Sequence, residues 1–190
     1  MRVDDIAEKF GDQVQIEWKS FMLRTEPKTS SHEKFVQYTN SWQRCATTEP
    51  RAEFTTPWAT EAGGPTSSLP AQVAWKAAST FGPEASDAMK RALMHAYFVD
   101  NRNISDRTEL VDIAESTGID RGEFEELLNE RGGEFAKEVI EQHNEAISNG
   151  ITAVPTVVLD GLFPIPGAQE TVSYERMIER LLARKANAEG

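Results

Sequence analysis

The chain has 190 residues, of which 39% are hydrophobic, and this is enough to bury one substantial core. No run of 18 apolar residues occurs, which excludes a conventional membrane-spanning helix. Its 20 basic against 31 acidic side chains give a net charge of −11, so the average surface repels nucleic-acid phosphates and anionic lipid.

Val3, Ile6, Ala7 and Phe10 share one helical face, and Gly11 stops that helix. Two stretches, Thr25 to Ser31 and Thr47 to Pro70, are rich in Thr, Ser, Pro and Gly, with Gly63-Gly64-Pro65 the strongest break. They bracket a predicted helix carrying Phe35, Tyr38 and Trp42. Beyond them Val73, Ala74, Ala77 and Ala78 form a helical stripe that Gly82-Pro83 ends. A second stripe holds Ala88, Met89, Leu93, Ala96 and Tyr97. The spacing of Asp106-Arg107-Thr108-Glu109 is that of a capping box, and Gly118 closes the helix it starts.

The last third alternates helix and strand. Phe135, Val139, Ile140, His143, Ala146 and Ile147 make one apolar face, with Asn149-Gly150 as its C-cap. A strand opens at Ala153-Val154-Pro155, runs to Asp160, and turns at Asp160-Gly161. Because proline has no N–H, Pro155 stops ladder pairing at the head of that strand and leaves neighbouring backbone groups free. A second strand within Leu162 to Ala168 follows, then a helix through Tyr174, Met177, Ile178, Leu181 and Leu182.

Few residues offer chemistry. Cys45 is the single cysteine. Its thiolate, favoured by Arg44, could form mixed disulfides, although a free cysteine more often packs as a small, partly buried side chain. His32, His95 and His143 lack the spacing of a metal pair. His95 and His143 fall in apolar stripes, where a hydrogen-bonded structural role is expected. Glu123, Glu125 and Glu126 read as a solvated helix face. Neither a Ser/His/Asp arrangement nor a phosphate-cradling glycine loop is present.

The run Gly150-Ile151-Thr152-Ala153-Val154-Pro155-Thr156-Val157-Val158-Leu159-Asp160-Gly161, continued by Pro164 to Gln169, resembles the signature of the DsbA-like thioredoxin-fold family. The likeness is to its cytosolic FrnE-type branch, with kappa-type glutathione transferases as relatives. Val14 to Arg24 is similar to that family's second core strand and its exit, and Pro70 to Asp120 to its helical insertion. Ala153 stands where the family usually has glycine.

The resemblance implies an α/β thioredoxin-like fold with an inserted all-helical subdomain. Residues 1–24 and 150–190 would form the thioredoxin-like core, and residues 25–149 the helical insertion. It also implies a first strand and a Cys-x-x-Cys, neither of which is in the given sequence, so the core is expected to be incomplete and its redox motif absent. Met1 to Gly11 would then be the end of the helix that follows that motif. The activity implied is thiol-disulfide exchange, and the chain as given is expected to be inactive in it. The alternatives are a kappa-type glutathione transferase or isomerase and a redox-dead peptide-binding remnant. The implied site on these residues is Pro155, cis in the family, with Val154 offering its N–H and C=O to an extended substrate. No catalytic residue, metal or cofactor is assigned. Expected partners are thiol- or disulfide-containing peptides or glutathione, in the cytoplasm; the sequence does not give the oligomeric state.

Overall fold

The structure, a computed structural model, describes residues 2–188. The chain divides into two compact units, Met1–Lys19 with Asn144–Gly190, and Ser20–His143.

In the first unit α1 (Arg2–Phe10) and the C-terminal helix pack around Ile6, Phe10, Tyr174 and Ile178. The hairpin closes that core: β1 (Thr156–Leu159) and β2 (Phe163–Pro166) pair antiparallel, Val157 opposite Ile165 and Leu159 opposite Phe163. Alternation along a strand sends Val157, Leu159 and Ile165 to the helices. Lys9 Nζ binds Glu175 at 2.7 Å and Glu179 at 3.2 Å on the C-terminal helix, Thr171–Ala188. These exposed pairs add little to the apolar contact beneath them.

The second unit is helical. α2 (His32–Thr39) leads through a 3₁₀ turn, Asn40–Trp42, into α3 (Gln43–Thr48). Trp42 packs there with Phe35 and Trp58 in an aromatic core. α4 (Leu69–Ser79), α5 (Pro83–Phe98), α6 (Arg107–Ser116) and the 28-residue α7 (Arg121–Ser148) follow, and with the hairpin before it the C-terminal helix is α8. Ala74, Ala77 and Ala78 of α4 let α5 and α6 approach closely over Met89, Ile113 and Phe124. The division between the units falls inside α7.

Two expectations need correction. Val14 to Leu23 is not a strand: among the described residues it has no ladder partner. Its alternate N–H groups are taken up by side chains instead. Ser20 N–H donates to Gln142 Oε1 at 2.8 Å, Met22 N–H to His143 Nδ1 at 3.2 Å, and Arg24 N–H to Ser68 Oγ at 3.0 Å. His95 does not share the apolar face of α5. At about 100° per residue it lies nearly opposite Leu93, and its half-exposed ring meets Asp100 at 3.1 Å.

Candidate functional site

The loop that carries Val154 and Pro155 is fixed at both ends by backbone chemistry. Gly150, with φ 75°, ends α7: its N–H donates to Ile147 C=O at 3.0 Å and Ile151 N–H to Ala146 C=O at 2.9 Å. That pair of bonds is a Schellman cap, which turns the chain sharply out of the helix. Thr156 Oγ1 then donates to Ala153 C=O at 2.7 Å, bridging the turn that Val154 and Pro155 occupy. The Val154–Pro155 peptide bond is cis.

Asp160 (φ 55°) and Gly161 (φ 69°) both adopt the left-handed conformation, and with Leu162 they make the three-residue connection between the paired Leu159 and Phe163. Leu162 N–H closes the turn onto Leu159 C=O at 3.1 Å, and Lys185 of α8 holds Asp160 at 2.6 Å.

The strand ends are tied together by Gly167. Its N–H donates to Pro155 C=O at 2.8 Å, and its own C=O accepts from the Tyr174 hydroxyl at 3.2 Å. The same hydroxyl accepts from Gln169 N–H at 3.1 Å. Tyr174 had only an apolar place in the sequence pattern. Its hydroxyl is the residue's second task, and the nearby Gly167 and Gln169 are the only local signal for it.

The hairpin's two edges differ. Since Pro155 faces Gly167 across a hydrogen-bonded position, the next such pairs are Val157 with Ile165 and Leu159 with Phe163. Pro164 and Pro166 therefore turn a donor-free edge outward from β2, which blocks further pairing there. On β1, Thr156 and Val158 direct their N–H and C=O the other way, where no strand pairs with them among the described residues. Val154 precedes them across the cis bond, in the bend that leads into the strand. Its backbone N–H and C=O have no hydrogen-bond partner among the described residues, and its side chain is 40% exposed.

The other candidates lie elsewhere. Cys45 is exposed on α3 in the second unit, so its thiol is open to solvent and is not a packing group. His143 is buried, accepts from Met22 N–H and packs edge-on to Phe21 with ring centres 4.8 Å apart. No group of His, Cys, Asp and Glu that could hold a metal occurs among the described residues. Among the described residues no helix is long and apolar enough to cross a membrane.

A helix that hands over through a capped glycine to an X-Pro turn, a proline-edged hairpin and a closing helix is the C-terminal half of a thioredoxin fold. Residues 1–179 match the DSBA-like thioredoxin domain, and the chain belongs to that family. Solved structures agree on the fold. Cytosolic disulfide reductase DsbM from Pseudomonas aeruginosa with GSH is 17% identical, covering 98% of this chain and 91% of its own with a TM-score of 0.70. A candidate DsbA oxidoreductase from Streptomyces coelicolor is 22% identical, covering 96% of this chain and 82% of its own at 0.73. A candidate protein disulfide isomerase from Nitrosomonas europaea is 15% identical, covering 97% and 89% at 0.73. No curated protein matches the chain by sequence.

Proposed function

We propose that the chain is a thiol-disulfide oxidoreductase scaffold whose 190 residues supply the docking side of the reaction. Val154 receives a thiol- or disulfide-bearing extended peptide, or glutathione, beside Pro155. The observation that carries this is the unpaired backbone N–H and C=O of Val154 at the head of an open strand edge. One donor and one acceptor on a single residue pair with an extended segment as a short β-bridge, whatever the side chains that segment carries. The Pseudomonas reductase was solved with GSH, which supports glutathione as a ligand class. Its cytosolic setting supports a cytoplasmic one for this chain.

The redox step needs a second thiol. Exchange proceeds by thiolate attack on a disulfide sulfur, and a resolving thiol then releases the product and closes a new disulfide. One cysteine cannot do both within these residues. A chain of 190 residues that binds peptide without turning over disulfides is thus the second reading; a kappa-type glutathione transferase or isomerase would use glutathione's own thiol, so the cysteine count does not bear on it.

The test uses the purified chain. Adding oxidised glutathione or a cysteine-containing peptide at millimolar concentration should shift the amide resonances of Val154 and Thr156 saturably. Val154→Pro, which removes the N–H, should weaken binding about tenfold, as the loss of a hydrogen bond of ordinary strength implies. Val154→Ala should bind almost normally. If neither ligand shifts these amides, or if the alanine variant loses as much as the proline one, backbone docking at Val154 is wrong. Insulin-disulfide reduction above the reductant background would overturn the absence of turnover.

A further inference from the structure

The second unit contains a cleft of about 380 Å³ that the disulfide chemistry does not use. Val73 of α4, Leu110 of α6 and Leu128 of α7 line it, together with half-buried Gly132 and exposed Gly133 of α7. Its volume is in the range of small-molecule sites, which run from about 300 to 1,000 Å³.

The paired glycines are the informative part. Both lie inside a 28-residue helix, where glycine is clearly less favourable than alanine. Packing does not demand them: a Cβ built on either would meet nothing within 4 Å. Neither has the positive φ that excludes an L side chain. A helix that carries two unfavourable residues, with neither contact nor conformation calling for them, is explained by what side chains there would fill. That space is the cleft.

Charge identifies the polar end of an occupant. Arg107 at the start of α6 lines the same cleft. Its Nη2 donates to Asn129 Oδ1 at 2.7 Å and to Glu125 C=O at 3.3 Å. No carboxylate pairs with it among the described residues, although the chain carries 31 acidic side chains. The guanidinium keeps Nε and Nη1 donors free, in the geometry that receives a carboxylate.

We infer that this cleft between α4, α6 and α7 binds a small organic acid, its aliphatic body over Gly132 and Gly133 and its carboxylate at Arg107. Octanoate is the probe, with octanol as the uncharged control. Octanoate should shift the Gly132 and Gly133 amides saturably, and octanol should bind about tenfold more weakly, as loss of one charged hydrogen bond implies. Arg107→Gln should erase that preference. Gly133→Leu should abolish binding of both. The double variant Gly132→Ala with Gly133→Ala should raise the melting temperature by about 4 °C, the helix-propensity gain expressed as a shift for a chain of this size. Lack of saturation by octanoate, equal binding of octanol, unchanged binding in Gly133→Leu, or a lower melting temperature in the alanine pair would each overturn the assignment.

Discussion

The two units use their apolar side chains differently. In the helical unit Ala74, Ala77, Ala78, Met89, Ala114 and Phe124 have no exposed surface at all. In the thioredoxin-like unit the buried cluster is Ile6, Phe10, Tyr174 and Ile178, while Val154, Val158, Leu162 and Phe163 remain between 40% and 68% exposed. Apolar surface removed from water stabilises by about 25 cal/mol per Å², so the first arrangement draws more of its stability from burial, although Leu23, Tyr38 and Met94 stay exposed. The second retains apolar surface and an unpaired strand edge. Regions of low local stability with unsatisfied surface are where binding is expected, and the proposed peptide site lies in this unit.

The strongest way to break that contrast is to open each core in turn. Phe124→Ala removes a ring with no solvent exposure from the helical unit. The expected loss is about 3–5 kcal/mol, read by urea unfolding, because close-packed alanines around it cannot collapse into the cavity. Ile178→Ala in the thioredoxin-like unit should lose about 2–3 kcal/mol, the low end for such a change, because a thinner core relaxes more readily. A larger loss for Ile178→Ala than for Phe124→Ala would invert the comparison.

Alkaline pH sharpens it. Burial pushes the Tyr97 phenol, in the aromatic core of the helical unit, up to about 12, with Tyr38 adding to the rise and Arg24 opposing it. The folded chain therefore prefers the neutral phenol. Its stabilisation is complete below the ordinary tyrosine value near 10 and is lost as pH climbs towards 12. At pH 11 the chain should be about 1–2 kcal/mol less stable than at pH 9 from this group. Tyr97→Phe should lack that part of the decline. An identical pH profile for the two proteins would mean that the ring's surroundings do not exclude water.

How far these features were readable from sequence follows from how local their causes are. Asn149-Gly150 and Asp160-Gly161 announce their turns because positive φ is a property of the residues themselves, and both turns are where the spacing puts them. Asp106 caps α6 through Thr108 and Glu109 N–H groups, although Glu109 turns to Arg102 instead of completing the box. The Thr-, Ser-, Pro- and Gly-rich stretch from Thr47 to Pro70 reads as loop, yet Trp58 within it is 3% exposed. What buries it is distant in sequence: Thr39 Oγ1 accepts Trp58 N–H at 2.8 Å, and Asn101 Oδ1 accepts Ala59 N–H at 2.7 Å. Composition cannot show bonds between residues 42 apart. The same holds for Ser20, Met22 and Arg24, whose β-like pattern conceals that their acceptors are Gln142, His143 and Ser68. For the candidate site, family resemblance singled out Val154 and Pro155, whereas the tie through Gly167 to Tyr174 had no pattern of its own.

That tie is the smallest effect and bears most directly on the site. Tyr174→Phe keeps the ring in the core but deletes the hydroxyl that serves both Gly167 C=O and Gln169 N–H. The net loss in global stability should be about 1 kcal/mol, since water replaces part of what is removed. The local consequence is larger in relative terms. Amide exchange at Gln169 should quicken by about fivefold, the factor equivalent to that energy. Exchange at Gly167, whose N–H binds Pro155 C=O at 2.8 Å, should quicken with it. Phe124→Ala, by contrast, should leave the ratio of Gln169 to Gly167 exchange unchanged, because it removes no group that either amide contacts. If Tyr174→Phe left exchange at both amides unaltered, the Pro155 turn would be held by the Gly167 and Thr156–Ala153 bonds without help from the Tyr174 hydroxyl. The thinner unit would then need no side-chain tie to keep Val154 in place.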